Sequence, residues 1–150
     1  MGTRSLTHFI ERHTQKPKTA RGKVKITDTE IVVMYRQYDG YPSGHGIELA
    51  EFIAKGKLVN GFGLDDKLVF NGMGCLSAQV VANFKQGPGG IYIHKAGTKD
   101  CWQDYDYYVI GDVETKEITL RCVGYGGKVL FEGTPQQFIE QLAEIEKVNE

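Results

Sequence analysis

The sequence predicts an α+β fold, in which a largely antiparallel sheet is built from an N-terminal hairpin and a C-terminal meander and covered by about three helices. One run of period-2 alternation and one rich in β-branched and aromatic residues stand at the start of the chain, four strand-like runs separated by turn clusters follow in its second half, and stripes of helical period lie between and after them. Strands, then helices, then strands is the order of an α+β domain and not of a parallel, alternating sheet. The 150 residues show no internal repeat and no interdomain linker, and at this length one core is sufficient, so residues 1–150 are read as a single domain.

Thr3 to Ile10 alternates Leu6, His8 and Ile10 against Ser5, Thr7 and Phe9, which is a strand pattern. Glu30 to Tyr38, rich in β-branched and aromatic residues, gives the hairpin partner. Between them, residues 11–25 contain Pro17 and Gly22 and are expected to form a long, basic, mobile hairpin loop. Asp39 to Gly46 breaks the strand. Leu49, Phe52 and Ile53 then make a helical stripe that is expected to end on a left-handed cap at Gly56. A second glycine-rich passage, Asn60–Gly63, precedes the apolar Leu68–Phe70. Asn71–Gly74 leads into a helix over Cys75–Lys85, striped by Leu76, Val80 and Phe84. Gly90–His94, Asp104–Gly111, Glu117–Val123 and Lys128–Phe131 read as the meander. Thr134, Pro135 and Gln137 form a capping box with proline at the first helical position, and Phe138, Leu142 and Ile145 stripe the last helix.

Composition excludes several classes. No apolar run approaches the roughly 20 residues of a membrane span, and Arg4, His8, Glu11 and Arg12 interrupt any signal-peptide core. A cytoplasmic location without membrane association is therefore expected. Cys75, Cys101 and Cys122 cannot pair completely and do not form C-x-x-C, and the histidines at 8, 13, 45 and 94 lack metal-site spacing. Neither a disulfide framework, a metal nor a cofactor is expected.

The net charge of −1 conceals a division: residues 1–26 carry seven Lys/Arg against Glu11, a local charge of +6, leaving −7 on the remainder. Such a segment attracts anions. It has no interleaved aromatic residue on which bases could stack, so a solvated loop is expected and nucleic acid is not.

The chemistry concentrates at two glycine-rich strand-to-helix passages. Gly44, His45 and Gly46 in the first, and Asn71, Gly72 and Gly74 in the second, could bring backbone N–H groups to an anion at a helix start. Turn formation alone explains the same glycines. Arg4 and Arg36 share parity with apolar neighbours in the first two strands, and a guanidinium on such a face needs a partner. Two kinds of partner are open: an internal carboxylate from Asp39, Asp104 or Asp106, or the acidic group of a ligand. Tyr38, Tyr41 and Trp102 offer stacking surfaces. Catalytic candidates are Cys75 as a helix-start thiol with His45 as its base, and the Asp104/Asp106 pair placed on one strand face.

Met1–Thr7 (MGTRSLT), Tyr35–Gly46 (YRQYDGYPSGHG) and Asn71–Leu76 (NGMGCL) resemble small proteins of phages, bacteria and some large DNA viruses. Their hallmarks are an MGTR start and a YxQxDGYPxGxG turn. The resemblance covers about the first 110 residues and carries over no established activity. It implies a phage-like setting, in which such a protein counters host defence by sequestering a nucleotide signal in the host cytoplasm. The early strand and hairpin also resemble the start of N-terminal-nucleophile hydrolases, but removing Met1 exposes Gly2, which has no nucleophile. The expected function is therefore sequestration of a small anionic, nucleotide-like ligand, with a homo-oligomer as a possible form. The alternatives are a small hydrolase or transferase acting on such a molecule, and a module that binds a host protein.

Overall fold

The computed structural model describes residues 2–61 and 68–149. Among the described residues eight strands are formed: β1 (Ser5–Gln15), β2 (Lys25–Arg36), β3 (Lys57–Val59), β4 (Val69–Asn71), β5 (Ile91–Lys95), β6 (Tyr105–Asp112), β7 (Ile118–Val123) and β8 (Val129–Gly133). The helices are α1 (Ile47–Ala54), α2 (Gly72–Phe84), α3 (Pro135–Glu140) and α4 (Leu142–Asn149), with a π-type turn at Pro42–Gly46. Six strands make one mixed sheet in the order β5-β2-β1-β6-β7-β8, while β3 and β4 form a small parallel pair.

The fold class agrees with the sequence reading, but the connectivity differs. The C-terminal strands are not one meander: β5 pairs with β2 at the far edge, and β6 returns to lie parallel to β1. Residues 96–104 must therefore cross the sheet, and contacts from Gly97 to Glu30 and from Gln103 to Asp106 hold that crossover against one face. The hairpin loop is also shorter than expected. The β1–β2 ladder continues to Gln15↔Lys25, leaving only 16–24 as the connection.

The opposite face carries the helices. Phe9, Met34, Tyr107, Val109, Leu120 and Cys122 from the sheet pack with Leu49, Ile53, Met73, Leu76, Val80, Phe138 and Ile145, and burying this apolar area is the main source of stability. A bulge between Phe9/Ile10 and the facing strand leaves Ile31 without a partner and changes the register of β2. Gly56 is not a left-handed cap. A Cβ there would clash with Phe70 Cε2 and Cζ, so glycine is required by close approach of the Phe70 ring. Phe62 and Gly63 of the second glycine-rich passage lie outside the described residues.

The C-terminal cap forms as its sequence dictates: Gln137 N–H donates to Thr134 Oγ1, and Thr134 N–H donates to Gln137 Oε1. The last stripe is divided between α3 and α4 at Gln141, yet Gln141 N–H and Ile145 N–H continue the i→i−4 bonding across the break. No described helix is long and apolar enough to cross a membrane.

Candidate functional site

A cleft of about 350 Å³ opens where the end of β2, α1 and the end of α2 meet. Its walls include Arg36, Tyr38, Asp39, Glu48, Phe84 and the backbone at Gly89 and Gly90. This volume lies at the small-molecule end of the range for ligand sites. Arg36 is the last residue of β2 and, by register with Ser5, belongs to the helix-covered face.

His45 holds Arg36 in place. The imidazole is fully buried, with Arg36 Nη1 3.1 Å from Nδ1 and Thr7 Oγ1 2.8 Å from Nε2. Guanidinium can only donate, so Nδ1 must accept and Nε2 must carry the hydrogen, which it donates to Thr7. Burial, aided by the Arg36 charge, pushes the His45 pKa down to about 3. Phe84 and Tyr107 meet the imidazole edge-on at centroid distances of 5.3 and 5.1 Å. The Arg36 guanidinium also lies over the Phe84 ring and donates to Glu48 Oε2 at 2.6 Å. Its carboxylate partner is thus Glu48, and not Asp39, Asp104 or Asp106. The Arg36 side chain is 16% exposed and that of Glu48 49%, so the cation is fixed while its partner is largely in water.

The other residues singled out in the sequence are dispersed. Tyr38 and Asp39 line the cleft, with Tyr38 half-exposed and Asp39 in the left-handed region at φ 60°. Tyr41 donates to Asp39 Oδ1 but is not part of the cleft wall. Gly44 and Gly46 do not offer free donors. Their N–H groups point to Tyr41 O, and His45 N–H donates to Asp39 O, so the turn uses its own amides. Gly46 is instead required for packing, because a Cβ would lie 2.8 Å from Phe138 Cζ and 3.0 Å from the Tyr107 hydroxyl. Asn71 and Gly72 line a separate cleft with Glu11 and His13, and Gly74 borders an apolar cleft beside Ile31 and Ile93. The two glycine-rich passages therefore do not converge. Arg4 precedes β1 and is absent from the Arg36 cleft, and Trp102 is exposed on the crossover.

The catalytic candidates are not assembled either. Both His45 nitrogens are engaged, leaving none to activate a thiol. Cys75 is the fourth residue of α2, not its first, and Gln79 Nε2 donates to its sulfur at 3.2 Å. Asp104 lies before β6 and accepts from Arg4 N–H, whereas Asp106 is inside the strand and bonds His8. The expected carboxylate pair is split by these different partners.

One constellation escaped the sequence reading. On the crossover-covered face, His8 is buried with Nδ1 2.7 Å from Glu30 Oε1 and Nε2 2.9 Å from Asp106 Oδ1. It stacks on Tyr108 at 4.5 Å, and Thr98 and Lys99 help enclose a cavity of about 250 Å³ beside it. Burial lowers the His8 pKa, but hydrogen bonds to Asp106 and Glu30 and their negative charges outweigh that effect, leaving it above the ordinary value. The available signal was His8 on an apolar strand parity, since a buried imidazole needs partners. Among the described residues, no group of three or more His, Cys, Asp or Glu is arranged to hold a metal ion. Comparison with protein-family models, curated proteins and solved structures finds no match to this chain.

Proposed function

We propose that the chain binds and sequesters a small anionic, nucleotide-like ligand in the Arg36 cleft, the acidic group taking the place of Glu48 on the guanidinium. The observation that carries this reading is the asymmetry of the ion pair. Neutral His45 and the Phe84 ring fix Arg36, whereas Glu48 is an exposed side chain free to rotate away. Arginine recognises carboxylate or phosphate by directional, charge-assisted bonds. Tyr38 supplies an aromatic face at the same cleft. Asp39 and Glu48 together oppose the single guanidinium, so an anion must displace Glu48 and cannot simply add to the pair. Sequestration is preferred to turnover because His45 has no free ring nitrogen and Cys75 and Asp106 are engaged elsewhere. In the phage-like setting implied by the sequence resemblance, this binding removes a nucleotide signal from a host response.

Calorimetry and native mass spectrometry with linear and cyclic nucleotides test the proposal. One ligand should bind stoichiometrically and be recovered intact after heating. Arg36→Gln should weaken binding about tenfold to a hundredfold, the scale of lost hydrogen bonds to a charged group. Glu48→Ala should tighten it by up to about fivefold, because an exposed ion pair is worth at most about 1 kcal/mol. Failure of every nucleotide to bind, or weaker binding by Glu48→Ala, would overturn it; accumulating product would assign turnover instead.

A further inference from the structure

The β1–β2 hairpin extends beyond the sheet that supports it. On one flank, β6 accompanies β1 only to Arg12↔Asp112; on the other, β5 reaches β2 only at Val32↔Lys95. The pairs His13↔Thr27, Thr14↔Ile26 and Gln15↔Lys25 continue past both neighbours. Every residue from Gln15 to Thr29 is exposed. The base is pinned by Arg12, which donates from Nε and Nη2 to Asp28 at 2.7 and 2.9 Å, and by a hydrogen bond from Thr14 to Asp112.

A two-stranded ribbon without a covering layer is marginal in water. Here the end of the ribbon and its 16–24 connection concentrate Lys16, Lys18, Arg21, Lys23 and Lys25, with no acidic residue between Arg12 and Asp28. Like charges at this density repel and weaken the ribbon, a cost that a polyanion removes. The rest of the chain is negative, so a polyanion is drawn to the arm and repelled by the body.

We propose that this arm docks double-stranded DNA, with the basic residues on phosphates and the ribbon in the major groove. Paired strands lie about 4.8 Å apart, and a groove about 12 Å wide admits a two-stranded ribbon. Duplex is favoured over single strands because no Phe, Tyr or Trp occurs between Phe9 and Tyr35 to stack on unpaired bases. The same absence that argues against single-strand recognition leaves a phosphate-directed duplex mode untouched. Duplex RNA fits less well, since its major groove is deep and narrow. Val24 and Ile26 are exposed on the arm, giving apolar atoms for contact with thymine methyl groups.

Fluorescence anisotropy of the full chain with a labelled 20-bp DNA duplex between 25 and 200 mM NaCl tests the arm. Five neutralised phosphates give a slope of log K against log salt of about −4.5, hence about a 500-fold loss between 50 and 200 mM. Replacing the five basic residues together (Lys16→Gln, Lys18→Gln, Arg21→Gln, Lys23→Gln and Lys25→Gln) should abolish binding without lowering the thermal midpoint, since none is buried and their mutual repulsion is removed. The single substitution Arg21→Glu, at the exposed loop, should weaken binding and flatten the slope by at least about 1. The proposal is overturned by no binding at 25 mM NaCl, by unchanged binding of either variant, or by equal or tighter binding to duplex RNA, polyglutamate or phosphatidylserine vesicles.

Discussion

Replacing His8 by glutamine should cost the fold about 3 kcal/mol at pH 6, and the cost should shrink as the pH rises. His8 presents Nδ1 to Glu30 and Nε2 to Asp106 at 2.7 and 2.9 Å. Ionised carboxylates only accept, so both ring nitrogens donate and the ring is an imidazolium. Hydrogen bonds to charged groups are worth about 1.5–3 kcal/mol each, and breaking one side of a buried ion pair costs about 3–5 kcal/mol. Two features place the expectation at the lower end. The Glu30 and Asp106 side chains are 23% and 24% exposed, which lets water reach an abandoned oxygen, and a glutamine amide can still donate to one of them. A loss near 3 kcal/mol corresponds to a fall in melting temperature of about 6–12 °C for a chain of this size.

The pH dependence separates this clamp from simple packing. The folded-state pKa of His8 is raised, so its contribution is complete below about pH 6.5, the ordinary value, and is lost as pH rises through the folded pKa. His45 acts in the opposite sense. Its folded pKa is about 3, so the stability from keeping it neutral is present above about pH 6.5 and is lost as pH falls toward 3. The wild-type stability curve mixes both histidines, but the difference between wild type and His8→Gln cancels His45. Urea unfolding of the two proteins at pH 6, 7.5 and 9 measures that difference directly. A gap below 1 kcal/mol at pH 6, or the same gap at pH 6 and pH 9, would refute the doubly donating imidazolium.

Three further outcomes follow from the same packing. Gly46→Ala should destabilise by about 1–3 kcal/mol, because the new methyl meets the buried Phe138 and Tyr107 rings, and unchanged urea unfolding would show that the rings can retreat. Ser5→Ala should stabilise by up to about 1 kcal/mol, since Ser5 is fully buried and its Oγ has no hydrogen-bond partner among the described residues; a measured loss of stability would reveal one. Thr134→Ala should lower stability by about 1 kcal/mol by removing the acceptor for Gln137 N–H, and a midpoint unmoved in thermal unfolding would mean that the cap contributes nothing.

Local chemistry was legible in the sequence wherever both partners were near in the chain. The Thr134–Gln137 box and the alternation of β1 needed only a few residues and formed as read. Sheet order did not have that property: β6 inserts beside β1 about 100 positions downstream, and alternation alone contains nothing that distinguishes this parallel pairing from a meander. Gly56 shows the same limit on a smaller scale, because a glycine required by the Phe70 ring is indistinguishable in sequence from a glycine required by φ. Thr7 and His8 make the point at the candidate sites. Their alternation sends adjacent side chains to opposite faces of β1, as the period implies, but what each meets is fixed by partners up to 98 residues away. Thr7 faces the helices and receives the hydrogen of a neutral His45, which leaves the other nitrogen to steady Arg36. His8 faces the crossover and is charged by Glu30 and Asp106. One strand thus separates an imidazole kept neutral by burial and a neighbouring cation from an imidazole kept charged by two anions, and opposite pH responses are the consequence.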